Sequence, residues 1–582
     1  MVRRSTSGPY KPSTRTVHLV RYRVRLRAGM NCPSPSLGGV ALPKHLANLD
    51  ALIIREDFEG QSEEPPAPSK ASGSLQLNQL EPGNIILTML RKPDFQRETA
   101  NWSPEKVAEL VRAFVDGDLI PSIIMWRSPL TGNIFVIDGA HRLSALIAWV
   151  HDDYGDRQIS TRFFGNTIAP EQELSASTTR DFIKNSIGSY EQLKYLVQHQ
   201  ESATEQQIRR AKNAGILPIE LQWVTGDASK AEASFFAINQ SATAIDPTEL
   251  RIIKARRKPN AVAARAIIRA GTGHKYWAGF SPENQTELER LSREIYNILF
   301  DPALETPIKT LDLPVAGRGY SADSLSLVFD FINFVNDFRP ESWSDEVKGR
   351  KRKTIDPEKV LKDDADGAST IIALKAVKRS AARISGNLPQ SLGLHPAVYF
   401  YGATGRYQPT AFLATVALVQ ELDEKNGFFE FTTARYRFEE FLLKYRYFVN
   451  QIVGTYGSGT RSLDAVLDMY RLVLKGIKTD LSDDNIVKVL QIAPRLTRSI
   501  RVTTDADRES RKNFSTETKS AAFLREAIEG AVRCAVCKAR IHLKGITVDH
   551  KMPKRDGGLG DIENAQITHP YCNSGYKESE GR

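Results

Sequence analysis

The sequence predicts an α+β multidomain protein: an α/β N-terminal part, a mainly α-helical middle and a small zinc-stabilised module at the C-terminal end. Three observations carry this. A helix–strand–turn–strand–helix pattern runs from about residue 103 to 150. From about 180 to 500 apolar residues recur mostly at helical spacing. In the last fifty residues three of the four cysteines gather beside a histidine. At 582 residues the chain exceeds the usual size of one domain. A composition of 41% hydrophobic and 25% charged residues suffices for several cores.

Residues 1–75 read as a basic arm and linker, largely disordered. Residues 1–29 hold eight Lys/Arg and no acid, without the continuous apolar stretch of a secretory signal. An organellar transit peptide would share that composition; a basic arm is the plainer reading. Residues 60–74 are a Pro/Ser/Glu-rich linker.

An α/β domain is expected over 76–260. Ser103-Pro104-Glu105 starts a helix, with a capping hydroxyl followed by proline at the first helical position. Val107, Leu110, Val111 and Phe114 form its apolar stripe. Ser122–Trp126 and Ile134–Ile137 read as strands joined through Thr131-Gly132-Asn133. Asp138-Gly139 ends the second strand, and Leu143, Leu146, Ile147 and Val150 mark a helix from about Ala140. Residues 261–500 read as a helical coupling region, clearest where Leu325, Val328, Phe329, Ile332 and Val335 share one face. Residues 501–525 read as a linker, and 526–582 as the C-terminal module. Two basic clusters, Lys348–Lys353 and Arg251 with Lys254, Arg256, Arg257 and Lys258, are either phosphate contacts or solvated loops.

No run of 18 apolar residues occurs, which argues against a membrane-spanning helix and a membrane partner. A formal charge of +10 suits a polyanionic partner. Cysteines gathered in one motif, rather than spread as a disulfide framework, indicate metal binding in a reducing, cytoplasmic setting. Cys32 stands alone and receives no role.

Cys534-Ala-Val-Cys537 is a zinc knuckle, and His569-Pro-Tyr-Cys572 supplies a second close pair about thirty residues on. Two such pairs suit a structural Cys₃His zinc site, with His542 as a competing fourth ligand. Phosphodiester hydrolysis needs a base for water and a cation at the phosphate. His550 is the natural base, and Asp549 a hard oxygen ligand for Mg²⁺ or Mn²⁺. Asn573, just after the last cysteine, offers a carbonyl oxygen to the same ion. The series Cys534/Cys537, Asp549-His550, Gly557-Gly558, Asn564, His569/Cys572-Asn573 resembles the HNH endonucleases. The resemblance implies a ββα-metal fold, with His550 activating water, Asp549 and Asn573 holding one divalent ion, and Asn564 stabilising the loop.

The turn Asp138-Gly139-Ala140-His141-Arg142 places free N–H groups, a partial positive charge and the Arg142 fork where a phosphate could sit. With Phe95-Gln96-Arg97, Trp102 and Phe235-Phe-Ala-Ile-Asn239, it resembles the ParB/sulfiredoxin-like superfamily, in its modification-dependent restriction branches of GmrSD and SspE type. That implies a nucleotide site built from Gln96, Arg97, Asp138, Gly139, His141 and Arg142, binding or hydrolysing an NTP. Ala140 departs from the glutamine that the family often carries, which puts hydrolysis in doubt.

The expectation is therefore a metal-dependent DNA endonuclease of bacterial restriction or anti-phage defence, acting on foreign or modified DNA under nucleotide control. A homo-oligomer would let single-strand cutters make double-strand breaks. Two alternatives stay open: a nucleotide-switched DNA-binding regulator with a structural zinc finger, and an RNA-cleaving HNH nuclease.

Overall fold

The computed structural model describes residues 46–58, 72–96, 98–100, 102–166, 168, 170–241, 247–319, 322–338, 360–502 and 514–576. Cys32, Arg97, the 348–353 basic run and most of the arm lie outside them, as does the Asn239 side chain.

The N-terminal part is built on a six-stranded sheet. Its strands are β1 (Ile54–Glu56), β2 (Ser74–Gln76), β3 (Leu90–Pro93), β4 (Ile123–Arg127), β5 (Ile134–Asp138) and β6 (Pro218–Trp223), in the order β1-β3-β5-β4-β6-β2. Pairing is parallel for β1/β3, β3/β5 and β4/β6, and antiparallel for β4/β5 and β2/β6. The expected hairpin is present as β4/β5, with Trp126 opposite Phe135.

The helix Pro104–Asp116 starts where its cap predicts: Ser103 accepts from the Lys106 N–H, and Val107, Val111 and Phe114 are buried. The helix Ala140–His151 follows β5 through Gly139, whose φ of 93° is the left-handed conformation glycine adopts without strain. Leu143, Leu146, Ile147 and Val150 point into the core.

The arm-and-linker boundary at 75 needs correction. Strand β1 falls before it, β2 crosses it, and the stretch Ala47–Ile53 packs into the N-terminal core. Short strands separated by a polar segment carry too little apolar periodicity to stand out in the sequence.

The middle is helical. Helices Pro259–Ile268, Pro282–Phe300, Ala322–Asn336, Ala368–Ile384, Pro409–Glu424, Phe428–Lys444 and Leu463–Lys478 contribute to one continuous core. Leu325, Val328, Phe329 and Ile332 are buried in it, with Val335 half-buried at its margin. The 501–525 stretch is also more than a linker. Its later part enters the helix Thr516–Glu529, capped by Ser515, whose Leu524 and Ile528 join the same core. Polar residues on its outer face hide this stripe in the sequence.

The basic cluster at 251–258 is largely paired. Arg256 meets Asp94 at 2.9 Å and Glu232 at 3.0 Å, and Lys258 donates to the Leu361 carbonyl. Among the described residues no helix is long and apolar enough to cross a membrane.

Candidate metal centre and N-terminal site

The C-terminal module is an antiparallel ribbon, β7 (Thr547–His550) with β8 (Ala565–Thr568), closed by a short helical turn Cys572–Tyr576. Knuckle and turn bring Cys534, Cys537, His569 and Cys572 together, all buried, with ligand atoms within 4.8 Å of one another. His569 Nδ1 is 3.4 Å from Cys537 Sγ and 3.8 Å from Cys572 Sγ. A tetrahedral zinc with ordinary bond lengths would set such separations at roughly 3.5 to 3.8 Å.

Electrostatics favour a cation there as well. Contact with Cys537 and Cys572 drives the Cys534 thiol far down, while its hydrogen bond to Cys534 pushes Cys537 up to about 12. Three thiols crowded this closely oppose one another's ionisation, an opposition that a divalent ion would relieve. Burial lowers the His569 pKa, favouring the neutral ring that a ligand must be, and its Nε2 faces the Arg540 carbonyl at 3.0 Å, which leaves Nδ1 for the metal. His542, the competing ligand, instead meets Asp312 at 3.3 Å.

Asp549 is buried on β7 opposite Gln566, whose amide donates to its carboxylate at 2.9 Å. His550 ends the strand, half-buried. The Asn573 side chain reaches the Val548 carbonyl at 3.5 Å, so the closing turn sits against the strand carrying Asp549 and His550. Asn564 clamps the loop after β7. It accepts from Met552 N at 2.7 Å and donates to the carbonyls of Met552 and Leu559. The clamp requires Gly558, where a Cβ would lie 1.8 Å from the Met552 carbonyl oxygen.

The module is seated on the helical region. Tyr571 N–H donates to Ser391 O, Ser574 Oγ to Pro389 O, and Tyr576 stacks on Phe429 at 4.7 Å. Gly545 and Gly393 meet backbone to backbone: a Cβ on Gly545 would lie 2.9 Å from the Gly393 Cα.

In the N-terminal part, Asp138 and Arg142 form a half-exposed ion pair at 2.8 Å across Gly139, and Arg142 also donates to the Ser122 carbonyl. His141 stacks on Trp102 with ring centroids 5.7 Å apart. Gln96 is buried, and its amide donates to the carbonyls of Val136 and Ile137 at the end of β5. Turn, stacked histidine and Gln96 therefore gather at one end of β5.

Beside them lies a cluster that the sequence does not announce. Asp50 is wholly buried and accepts from Lys92 at 2.6 Å and from Arg55 and Arg269 at 3.0 Å each. Glu98 adds a second carboxylate, paired with Arg269. Arg265 packs over the Tyr276 ring at 4.0 Å, and among the described residues its Nε and Nη1 have no hydrogen-bond partner. Among the described residues, three buried cations thus pair with Asp50 and Glu98, while Arg265 faces Glu98 and Asp94 without an ion pair, and burial brings the Lys92 pKa down to about 8. Arg55 is joined to the Gln96 stretch through the Pro93 and Gln96 carbonyls. No periodicity in the sequence marks these residues, which come from distant segments.

Residues 77–256 match the family described as GmrSD restriction endonuclease, N-terminal domain, and residues 534–579 match the HNH endonuclease family. No curated protein and no solved structure matches the chain. The matched segments fall on the six-stranded domain and on the metal module described above. With a GmrSD-type N-terminal domain and an HNH endonuclease domain at its C-terminal end, the chain has the architecture of a GmrSD-like restriction protein and is a nuclease of the hydrolase class.

Proposed function

We propose that this chain is a metal-dependent DNA endonuclease in restriction or anti-phage defence, whose ParB-like N-terminal domain senses nucleotide or DNA state and whose helical region passes that state to the HNH domain. The observation that carries the reading is the seat of Asn573 against the strand bearing Asp549 and His550. His550, at the open end of the strand, takes the proton from the attacking water. Asp549, oriented by Gln566, and Asn573 would hold one divalent ion through their side-chain oxygens. Bound Mg²⁺ or Mn²⁺ supplies charge neutralisation at the scissile phosphate. Zinc at Cys534, Cys537, His569 and Cys572 has a structural role, since all four positions are filled by the protein.

The surplus of buried cations beside Gln96 supports an anionic ligand in the N-terminal domain, and a nucleotide phosphate fits that chemistry. The Arg142 fork, at present shared with Asp138, and the Gly139 turn are the complementary contacts. Binding rather than hydrolysis is the proposed role, given Ala140 in the turn.

The test is cleavage of plasmid and of modified and unmodified phage DNA, with Mg²⁺ or Mn²⁺, with and without NTP. Wild type should cut, and His550→Ala should lose about 10²-fold or more of the rate while keeping its fold and DNA affinity. DNA left intact by wild type under every metal and nucleotide would turn the reading to a regulator with a structural finger. Cleavage of RNA alone would move the substrate class.

A further inference from the structure

A second layer of buried polar groups lies behind the zinc-type site, and it belongs to the helical region. On the helix Phe428–Lys444, Arg435 and Glu439 are an i,i+4 pair at 2.8 Å with side chains 1% and 0% exposed. Every polar group of the pair is used. Arg435 donates to the Leu392 carbonyl at 2.6 Å and to the Gly393 carbonyl at 3.3 Å. Glu439 accepts Tyr399 Oη–H at 3.1 Å on one oxygen. Its other oxygen accepts the backbone N–H of Arg540 at 3.0 Å. The carbonyl of that same residue, Arg540, faces His569 Nε2 at 3.0 Å.

These bonds form a continuous line. Arg435 fixes Glu439, Glu439 fixes the Arg540 backbone, and Arg540 fixes the ring whose Nδ1 faces the cysteines. The line also carries charge. A Cys₃His zinc site has three thiolates against one dication, a net charge of about −1. The Arg435 guanidinium is the buried cation facing Cys537 and Cys572. Removing either member of such a pair leaves the other as an uncompensated buried charge.

We propose that Glu439, held by Arg435 and Tyr399, is a positioning residue for the metal site, so that the helical region completes the zinc environment from outside the HNH domain. The proposal rests on the zinc assignment made above. It reaches beyond the boundaries of the HNH match, since the residues that orient His569 lie about a hundred positions upstream. Outer-sphere partners of a ligating histidine typically contribute 10- to 100-fold to metal affinity.

The experiment uses the full-length chain. Zinc affinity is measured by competition with a chromophoric chelator, and ligand geometry from the visible spectrum after replacement by Co²⁺. Glu439→Ala should weaken zinc binding about 10- to 100-fold and alter the Co²⁺ ligand-field bands. Glu439→Gln, which keeps one acceptor for the Arg540 N–H, should fall between Ala and wild type. This graded order is unlike a general loss of stability. If Glu439→Ala does not fold, the Gln variant alone decides by the same two readouts. Zinc affinity and Co²⁺ bands within twofold of wild type in the folded variants, while Cys537→Ser loses zinc, would overturn the proposal and leave the metal assignment standing. Full zinc retention by Cys537→Ser would instead remove the assignment on which the proposal rests.

Discussion

Two buried ionic clusters, one in each half of the molecule, are built to opposite rules. Around Glu439 charge is balanced one to one, and each oxygen and nitrogen of the Arg435–Glu439 pair has a partner. Around Asp50 three cations converge on one carboxylate, and beside them Arg265 keeps two nitrogens without hydrogen bonds among the described residues. Burying unpaired charge is costly. A fold that keeps such an excess is suited to an anion, whereas a balanced pair is suited to hold a shape. The Asp50 cluster therefore suits the anion site proposed for the N-terminal domain, and the Glu439 cluster the support proposed for the metal site.

The largest effect should come from the metal. Cys537→Ser removes a ligand from a site worth on the order of 10 kcal/mol in small zinc peptides. Zinc content by mass spectrometry should fall to zero, and hydrogen exchange should speed up across 534–576 while peptides over β3 and β5 stay protected. Equal loss of protection in both halves would show that the two clusters do not act separately.

Asp50→Asn comes next. It strips the counter-charge from Lys92, Arg55 and Arg269 and should cost about 3–5 kcal/mol in urea unfolding. Added polyphosphate should restore part of that loss if the excess of cations accepts an anion. No recovery would assign the cluster to structure alone.

Acid should act on both halves. Burial lowers the pKa of His395, beside the metal module, and of His274, where Asp57 opposes the shift. The folded forms take up a proton only at lower pH than the unfolded chain, which gains protons below about 6.5. Stability then falls as the pH drops through that value, by up to about 1.4 kcal/mol per histidine per pH unit. Thermal melts from pH 7.5 to 5 on His395→Gln and His274→Gln would apportion the loss; a flat profile in wild type would contradict both assignments.

Arg142→Ala should have the smallest effect on stability, under about 1 kcal/mol, because its pair with Asp138 is partly exposed. Binding of a fluorescent ATP analogue should nonetheless weaken. An unchanged titration would place the anion site wholly among Arg55, Lys92, Arg265 and Arg269.

The metal module was legible in the sequence because its chemistry is local: knuckle, Asp-His pair and closing Cys-Asn each span a few residues. The same holds for the β4/β5 hairpin and the helix after Gly139, where cap, turn and apolar stripe agree. Strands β1 and β2 were not legible, being three residues each beside a Pro-rich stretch. Asp50 and Lys92 were hidden for another reason, since their partners are joined only by the fold. Glu439 left a faint trace: an arginine and a glutamate four apart on a helix whose Phe431, Phe438 and Phe441 are buried. Charges on an apolar face need a partner, and here the partner is the peptide of a distant residue.

The contact between Gly393 and Gly545 leaves no room for even a methyl group between the metal module and the helical region. Under the proposed function, a cutting module seated that closely would not range freely along a duplex. Its cuts should then fall at one fixed offset from whatever the rest of the chain grips, so the spacing of product ends would measure the distance to the proposed N-terminal site.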